Sequence, residues 1–299
     1  MRFDGGHKHD AFITDTLGRF CEWVPVCPEV EIGLGTPRES MRLIGLPEHP
    51  RLVAPRSGKD HTDTMSKWAE KRLDQLDSLG LHGYILKKDS PSCGMARVRV
   101  YSDQGLAART GRGLFADALL KRFPMLPVEE EGRLHDMPLR ENFIERVFAF
   151  HRWTEFVKSK PRPKDLVNFH TCQKLSLMAH SPVHYQKLGR LVAKAGSVPM
   201  GELLAEYGAI FMEGLALRAT AKKHANVLQH LVGYLKNDLD AVNKSEMLAL
   251  IDSYRVGRVP LVVPLTLLNH HFLRHPVPWV AEQSYLNPYP SELMLRNHV

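Results

Sequence analysis

Two short segments hold the side chains best suited to chemistry. Cys27-Pro28-Glu29 sets a thiol two residues before a carboxylate, and Ser90-Pro91-Ser92-Cys93-Gly94 flanks a second thiol with two hydroxyls. In the second segment proline fixes φ and glycine permits close backbone approach, so a rigid turn can aim the cysteine at a metal. Each segment alone also fits a plainer reading: a buried structural cysteine beside a surface glutamate, or an ordinary turn. Gly33-Leu34-Gly35-Thr36-Pro37-Arg38-Glu39 adds flexible backbone before an Arg–Glu pair that could contact an anion or a nucleobase. The remaining cysteines, Cys21 and Cys172, form no C-x2-C pair with these, so spacing gives no zinc ribbon or ferredoxin-type cluster.

The elements that must position these residues follow from periodicity. Trp23-Val24-Pro25-Val26 reads as a short buried strand ending at Cys27, and Gly83 to Lys87 as another ending before Ser90. Lys67 to Leu79 and Gly113 to Phe123 have helical spacing, while Arg97 to Tyr101 alternates at period two. Strands alternating with helices predict an α/β unit with a largely parallel sheet. Sites in such sheets collect at the carboxyl ends of strands, so Cys27 and Cys93 are expected to meet although 66 positions separate them.

The acidic stretch Val128 to Gly132 reads as a linker, and beyond it the pattern turns helical. Asn142 to Val157, Leu166 to Ala195 (broken at Ser181-Pro182), Met200 to Leu217, Ala221 to Val242 and Ser245 to Tyr254 are the expected helices. The proline-rich end is expected to wrap over them in turns and short pieces. The predicted domains are therefore 1–128, α/β, and 129–299, mainly α-helical.

Charge divides unevenly between them. Residues 1–140 carry 21 Lys+Arg against 20 Asp+Glu, whereas residues 141–299 carry 19 against 13. A basic excess confined to one part suits a polyanion such as nucleic acid, and equally a solvated basic surface. Arg218, Lys222, Lys223 and His224 are its densest cluster. No run of 18 apolar residues is present, and the N-terminus lacks an apolar secretory core, so a cytoplasmic protein without membrane spans is expected.

Taken in order, Arg2-Phe3-Asp4-Gly5-Gly6-His7-Lys8, Val26-Cys27-Pro28-Glu29, Gly33 to Arg38 and Lys87-Lys88-Asp89-Ser90-Pro91-Ser92-Cys93-Gly94 resemble the thiouracil desulfidase family. Asn168-Phe169-His170, Leu177-Met178-Ala179-His180, Lys223 to Tyr234, Tyr254 to Gly257, Pro260 to Leu268 and Gln283 to Leu286 resemble the helical domain fused behind it in tRNA thiouridine desulfidases. The resemblance implies a [4Fe-4S] cluster held by three cysteines, with one iron left for a thiocarbonyl sulfur and water replacing that sulfur by oxygen. It makes Cys27 and Cys93 cluster ligands, Glu29 the acid/base group, and Ser90 the likelier serine to assist. It also implies tRNA as partner; Ser92, Arg38 and, from the basic cluster, Lys222, Lys223 and His224 are the candidate substrate or RNA contacts. No obligate protein partner is expected.

The family pattern has a further cysteine before the Arg-Phe-Asp-Gly-Gly segment, in a first strand ending Cys-Leu-Leu-Gly. That strand and its cysteine are expected upstream of Met1, ahead of truncation or of substitution by Cys21. The enzyme reading depends on that ligand. Its alternatives are a non-catalytic RNA-binding or structural protein that has lost its cluster, and a desulfidase of free thiouracil.

Overall fold

Val98 and Val100 alternate with Arg97, Arg99 and Tyr101, and that period of two marks a strand of the main sheet of the first half of the chain. The computed structural model describes residues 4–6, 9–102 and 104–299. It divides into two units, 1–135 and 136–299. The first runs α1 (Pro28–Glu31), β1 (Arg42–Leu46), β2 (His49–Val53), α2 (Thr62–Ser78), β3 (Tyr84–Leu86), β4 (Val98–Tyr101), β5 (Ala107–Gly111), α3 (Leu114–Arg122) and β6 (Val128–Glu130). Parallel pairing joins β1 to β4 and β3 to β6, while hairpins join β1 to β2 and β4 to β5. The result is a four-stranded sheet in the order β2-β1-β4-β5 and a two-stranded one.

Leu43 and Leu52 face each other across β1 and β2 and are fully buried, and Val98 and Val100 share their side of the sheet. The amphipathic α2 buries Met65, Ala69, Leu73 and Leu76, spaced for one helical face. Phe115 of α3 lies between Trp68 and Tyr84, its ring centroid 5.3 and 6.0 Å from theirs. The expected α/β unit is therefore present, its pairing mixed with two parallel and two antiparallel strand pairs, and helices follow it.

Two local expectations fail. Residues 23–26 form no strand, and Trp23 is 45% exposed. Pro25 and Pro28 each lack an N–H to donate, so this stretch is a poor ladder partner. The acidic segment expected as a linker is instead strand β6, with Glu129 and Glu130 buried. Each carboxylate has its own partner: Arg133 Nε donates to Glu129 at 2.7 Å, and the Met95 N–H to Glu130 at 2.8 Å. Glu131, next along, accepts from the Lys88 N–H at 2.7 Å. A solvated acidic run and a satisfied buried one look alike in one dimension.

The second unit comprises α4 (Met137–Lys158), α5 (Pro163–His180), α6 (Pro182–Val192), α7 (Met200–Ala216), α8 (Ala221–Tyr234), α9 (Ala241–Arg255), α10 (Val262–Arg274) and the short α11 (Pro278–Ala281). The long helix expected over Ala221 to Val242 breaks after Tyr234, and Asp240 caps α9 by accepting from the Asn243 N–H at 2.8 Å. The proline-rich end also carries a full helix, α10, because Pro264 falls in its first turn, where no i−4 carbonyl awaits an N–H. Its core gathers Leu175, Leu228, Leu231, Tyr254, Leu268 and Tyr285. No helix among the described residues is long and apolar enough to cross a membrane.

A buried polar knot lies inside this unit. His180 reaches the Leu217 carbonyl at 2.7 Å and Glu145 at 3.1 Å. Both partners only accept, so both ring nitrogens donate and the ring is an imidazolium. Burial presses the His180 pKa down, but Glu145 more than restores it, and the net shift is upward. Glu141, one turn away, is pushed up to about 7 by burial and by the charge on Glu145. Its ordinary value is 4.5, so between about pH 4.5 and 7 the folded form holds the extra proton at this carboxyl, and this group's contribution to stability falls as pH rises. Burial holds His224 down at about 3 and His170 at about 4, and these contribute the opposite slope over the same window. The Glu141 share is therefore read as a difference: in urea melts Glu141→Gln should gain stability with rising pH more steeply than the wild type.

Candidate active site

Cys27 is the extended residue before α1, and Pro28 opens that turn where a missing N–H costs nothing. The Cys27 N–H donates to a Glu31 carboxylate oxygen at 3.1 Å. The other oxygen of Glu31 pairs with Arg72 of α2 at 3.2 Å, fastening the α1 turn to the core helix. The single turn then presents Glu29 inward.

Cys93 sits on a turn held mostly by backbone. Ser90 Oγ accepts the Ser92 and Cys93 N–H groups at 3.2 and 3.0 Å, and the Ser90 carbonyl accepts the Gly94 N–H at 2.8 Å. The first residues of α3 then close on it: Phe115 and Ala116 donate to the Ser92 carbonyl at 3.0 and 3.1 Å, and Gly113 to the Gly94 carbonyl at 2.8 Å. This approach needs a bare α-carbon at 113, since a Cβ there would lie 2.4 Å from the Ser92 carbonyl. The buried carboxylate of Glu130 grips the next residue, Met95, so β6 braces the same turn.

The two loops meet through Glu29. Ser92, fully buried, donates from its hydroxyl to one Glu29 oxygen at 2.9 Å. Arg38 donates to the other from Nε at 2.8 Å and from Nη2. Arg38 is anchored in turn on the Gly35 carbonyl at 3.1 Å. Both charged side chains are largely shielded, with exposures of 5% for Arg38 and 14% for Glu29, which strengthens their attraction. Burial pushes the Cys93 thiol's pKa up, and nearby Glu29 and Cys27 push it further, so the two thiols and this carboxylate form one electrostatic group. Two open clefts adjoin the loops. One, of about 470 Å³, runs along Pro37 to Ser40, and the other, of about 370 Å³, has Asp89 and Pro91 in its wall.

Among the expected site residues, Cys27, Glu29, Ser92 and Cys93 are brought together. The hydroxyl on Glu29 belongs to Ser92, whereas Ser90 shapes the turn. Arg38, expected to face an anion or a base, is buried against Glu29 instead, because the carboxylate would otherwise be a lone buried charge. In the second unit Lys222 is exposed, while the Lys223 ammonium donates to the His180 carbonyl at 2.6 Å. His224 is no surface contact: it is 4% exposed, its Nδ1 lies 2.9 Å from the Tyr285 hydroxyl, and burial drives its pKa down to about 3. Its place on the inner face of α8 decides this. Of the Arg2 to Lys8 motif, Arg2, Phe3, His7 and Lys8 lie outside the described residues. The sequence reading missed Gly113 and Glu130, whose only signals are a helix-opening glycine and an acidic run.

Comparison with known proteins follows the division into two units. Residues 1–131 match the family described as 2-thiouracil desulfurase, and residues 174–290 match one described as a protein of unknown function, DUF1722. The uncharacterized protein YbbK of Bacillus subtilis (strain 168) is 35% identical over 126 residues, covering 40% of this chain and 82% of that protein. The uncharacterized protein YbgA of Escherichia coli (strain K12) is 31% identical over 153 residues, 51% of this chain and 90% of that one. A solved [4Fe-4S]-dependent thiouracil desulfidase, TudS, is 32% identical and covers 46% of this chain and 87% of its own. The TM-score is 0.36, too low for that likeness to bear on the fold.

Gly113→Ala should lower stability by about 1–3 kcal/mol, the usual cost of overpacking, and disturb the Cys93 turn. Denaturant melts check the first effect and cysteine labelling kinetics the second. Wild-type values in both would show that the close approach at residue 113 is not needed.

Proposed function

This chain belongs to the 2-thiouracil desulfurase family through residues 1–131, and we propose that it is an iron–sulfur desulfidase that converts thiouridine in tRNA to uridine and releases sulfide. The observation that carries this reading is the 2.9 Å hydrogen bond from Ser92 to Glu29, which ties the Cys27 loop to the Cys93 turn and sets a carboxylate beside two thiols. Two cysteines converging from separate loops suit a soft metal group better than a hard one, so the donors present fit two ligands of a [4Fe-4S] cluster. Cys27 and Cys93 would hold it, and a third ligand would complete the set. When bound, such a cluster supplies a soft iron open to a thiocarbonyl sulfur.

The rest of the work falls to this chain's own residues. Replacing C=S by C=O takes one water and releases hydrogen sulfide, with no net change in oxidation state. Glu29 accepts a proton from the attacking water and returns it to the departing sulfur, the ordinary task of a general acid and base. Arg38 and Ser92 fix one oxygen each, so the carboxylate cannot rotate away. Ser90 acts one step back, by holding the turn on which Ser92 and Cys93 ride. For tRNA the support is the basic excess of residues 141–299 and the exposed Lys222.

A second reading, action on free 2-thiouracil, is favoured by the description of the family itself. The two are separated by loading the protein anaerobically with iron and sulfide, then measuring sulfide released from thiolated tRNA and from 2-thiouracil. Release from tRNA is expected. Release from the free base alone would replace the first reading by the second, and release from neither would end both. Cys27→Ala and Cys93→Ala should each lose the brown chromophore. Glu29→Gln, which can still bond Arg38 and Ser92, should keep it while turnover falls by about 10²–10⁴, and full turnover would remove Glu29 from the chemistry.

A further inference from the structure

The outer side of the four-stranded sheet carries a row of arginines. Arg99 of β4 stands directly opposite Arg109 of β5 in the ladder. On the other flank Leu43 pairs with Val100, and one residue back along both strands Arg42 comes level with Arg99. These three guanidinium groups line the 370 Å³ cleft with Met41, Tyr101 and Pro91. Like charges directly opposite on neighbouring strands repel, so this arrangement opposes the fold rather than supporting it. The one carboxylate in the cleft wall is Asp89, 3.7 Å from Arg109, with both side chains about half exposed. Such a pair is weak and leaves two positive charges uncompensated. Arg42 is held over the Tyr101 ring at 5.0 Å, and its buried Nε makes no hydrogen bond among the described residues.

The cleft's position makes it useful. Pro91, in its wall, lies two residues before Cys93 and one before the serine on Glu29. The volume is at the small end of ligand sites, which begin near about 300 Å³. Arginine's flat fork matches phosphate oxygens in pairs, and an ordered row of forks matches a run of phosphates. A free thiolated base carries no phosphate and has no use for such a row.

We propose that Arg42, Arg99 and Arg109 bind the phosphodiester backbone of an RNA strand whose thiolated base lies at the Cys27–Cys93 site, which makes this cleft the feature that selects a polymer over a free base. The inference rests on the proposed activity and names its substrate-binding surface.

The test is the Arg99→Ala/Arg109→Ala double variant, with Arg99→Lys/Arg109→Lys beside it, in the full chain. Binding of an unmodified tRNA transcript is followed by fluorescence anisotropy across a salt series. The alanine variant should bind about tenfold more weakly at low salt, and its log–log salt slope should be shallower by about 2, one for each lost phosphate contact. The lysine variant should keep most of the slope. Removing an opposed like-charge pair should leave the melting temperature unchanged or raise it, which separates lost contacts from misfolding. Wild-type affinity and slope in the alanine variant, with wild-type melting, would overturn the proposal. Anisotropy needs no turnover, so it decides the cleft separately: wild-type protein that binds the transcript yet releases no sulfide from thiolated tRNA would sink the proposed activity alone. Wild-type protein that does not bind the transcript would overturn the cleft.

Discussion

The Glu29 carboxylate is the hinge of the first unit. One oxygen is claimed by Arg38 and the other by Ser92, from positions nine residues ahead and sixty-three residues ahead. Without it, the Cys27 loop and the Cys93 turn would be neighbours with no polar reason to stay in register. Because both charged groups are shielded from water, neither can be removed without stranding the other, and this makes the contact specific as well as attractive. The turn around Cys93, the α1 turn around Cys27 and the descent of α3 onto the Ser92 carbonyl all serve to hold that carboxylate where it is.

Much of this was legible in one dimension, for reasons that can be named. Period-two and period-3.6 patterns marked β3, β4, α2 and α3, because each buries one face only. Strand-end logic predicted that Cys27 and Cys93 meet, and it succeeded for Cys93, whose turn follows β3. At Cys27 the meeting occurs although no strand precedes it; two prolines remove the donors a ladder would need, and a side-chain network takes over. What stayed hidden was pairing. Nothing in Glu129-Glu130-Glu131 announces that Arg133 and two backbone N–H groups are waiting. Nothing in Arg38 announces that its partner is Glu29 rather than an external anion.

Charge counting shows the same limit from the other side. The first half of the chain is almost neutral in sum, yet β-sheet register stacks Arg42, Arg99 and Arg109 on one face. The second half is basic in sum, yet His224 turns inward and the Lys223 ammonium caps a carbonyl. Totals over a segment describe long-range attraction, while ladder register and helix face decide where a charge can touch anything.

The two loops are fastened by different means. The Cys93 turn is stitched by main-chain hydrogen bonds to α3 and by Glu130 to β6, so it comes apart only if that corner of the unit does. The Cys27 arm hangs on Glu29 and Glu31, a pair of carboxylates gripped by arginines and one hydroxyl. Such an arm depends on side-chain pairs and on the buried Pro28 rather than on any strand ladder. The two thiols are thus held by unlike means, one welded into the main chain and one clamped by side chains.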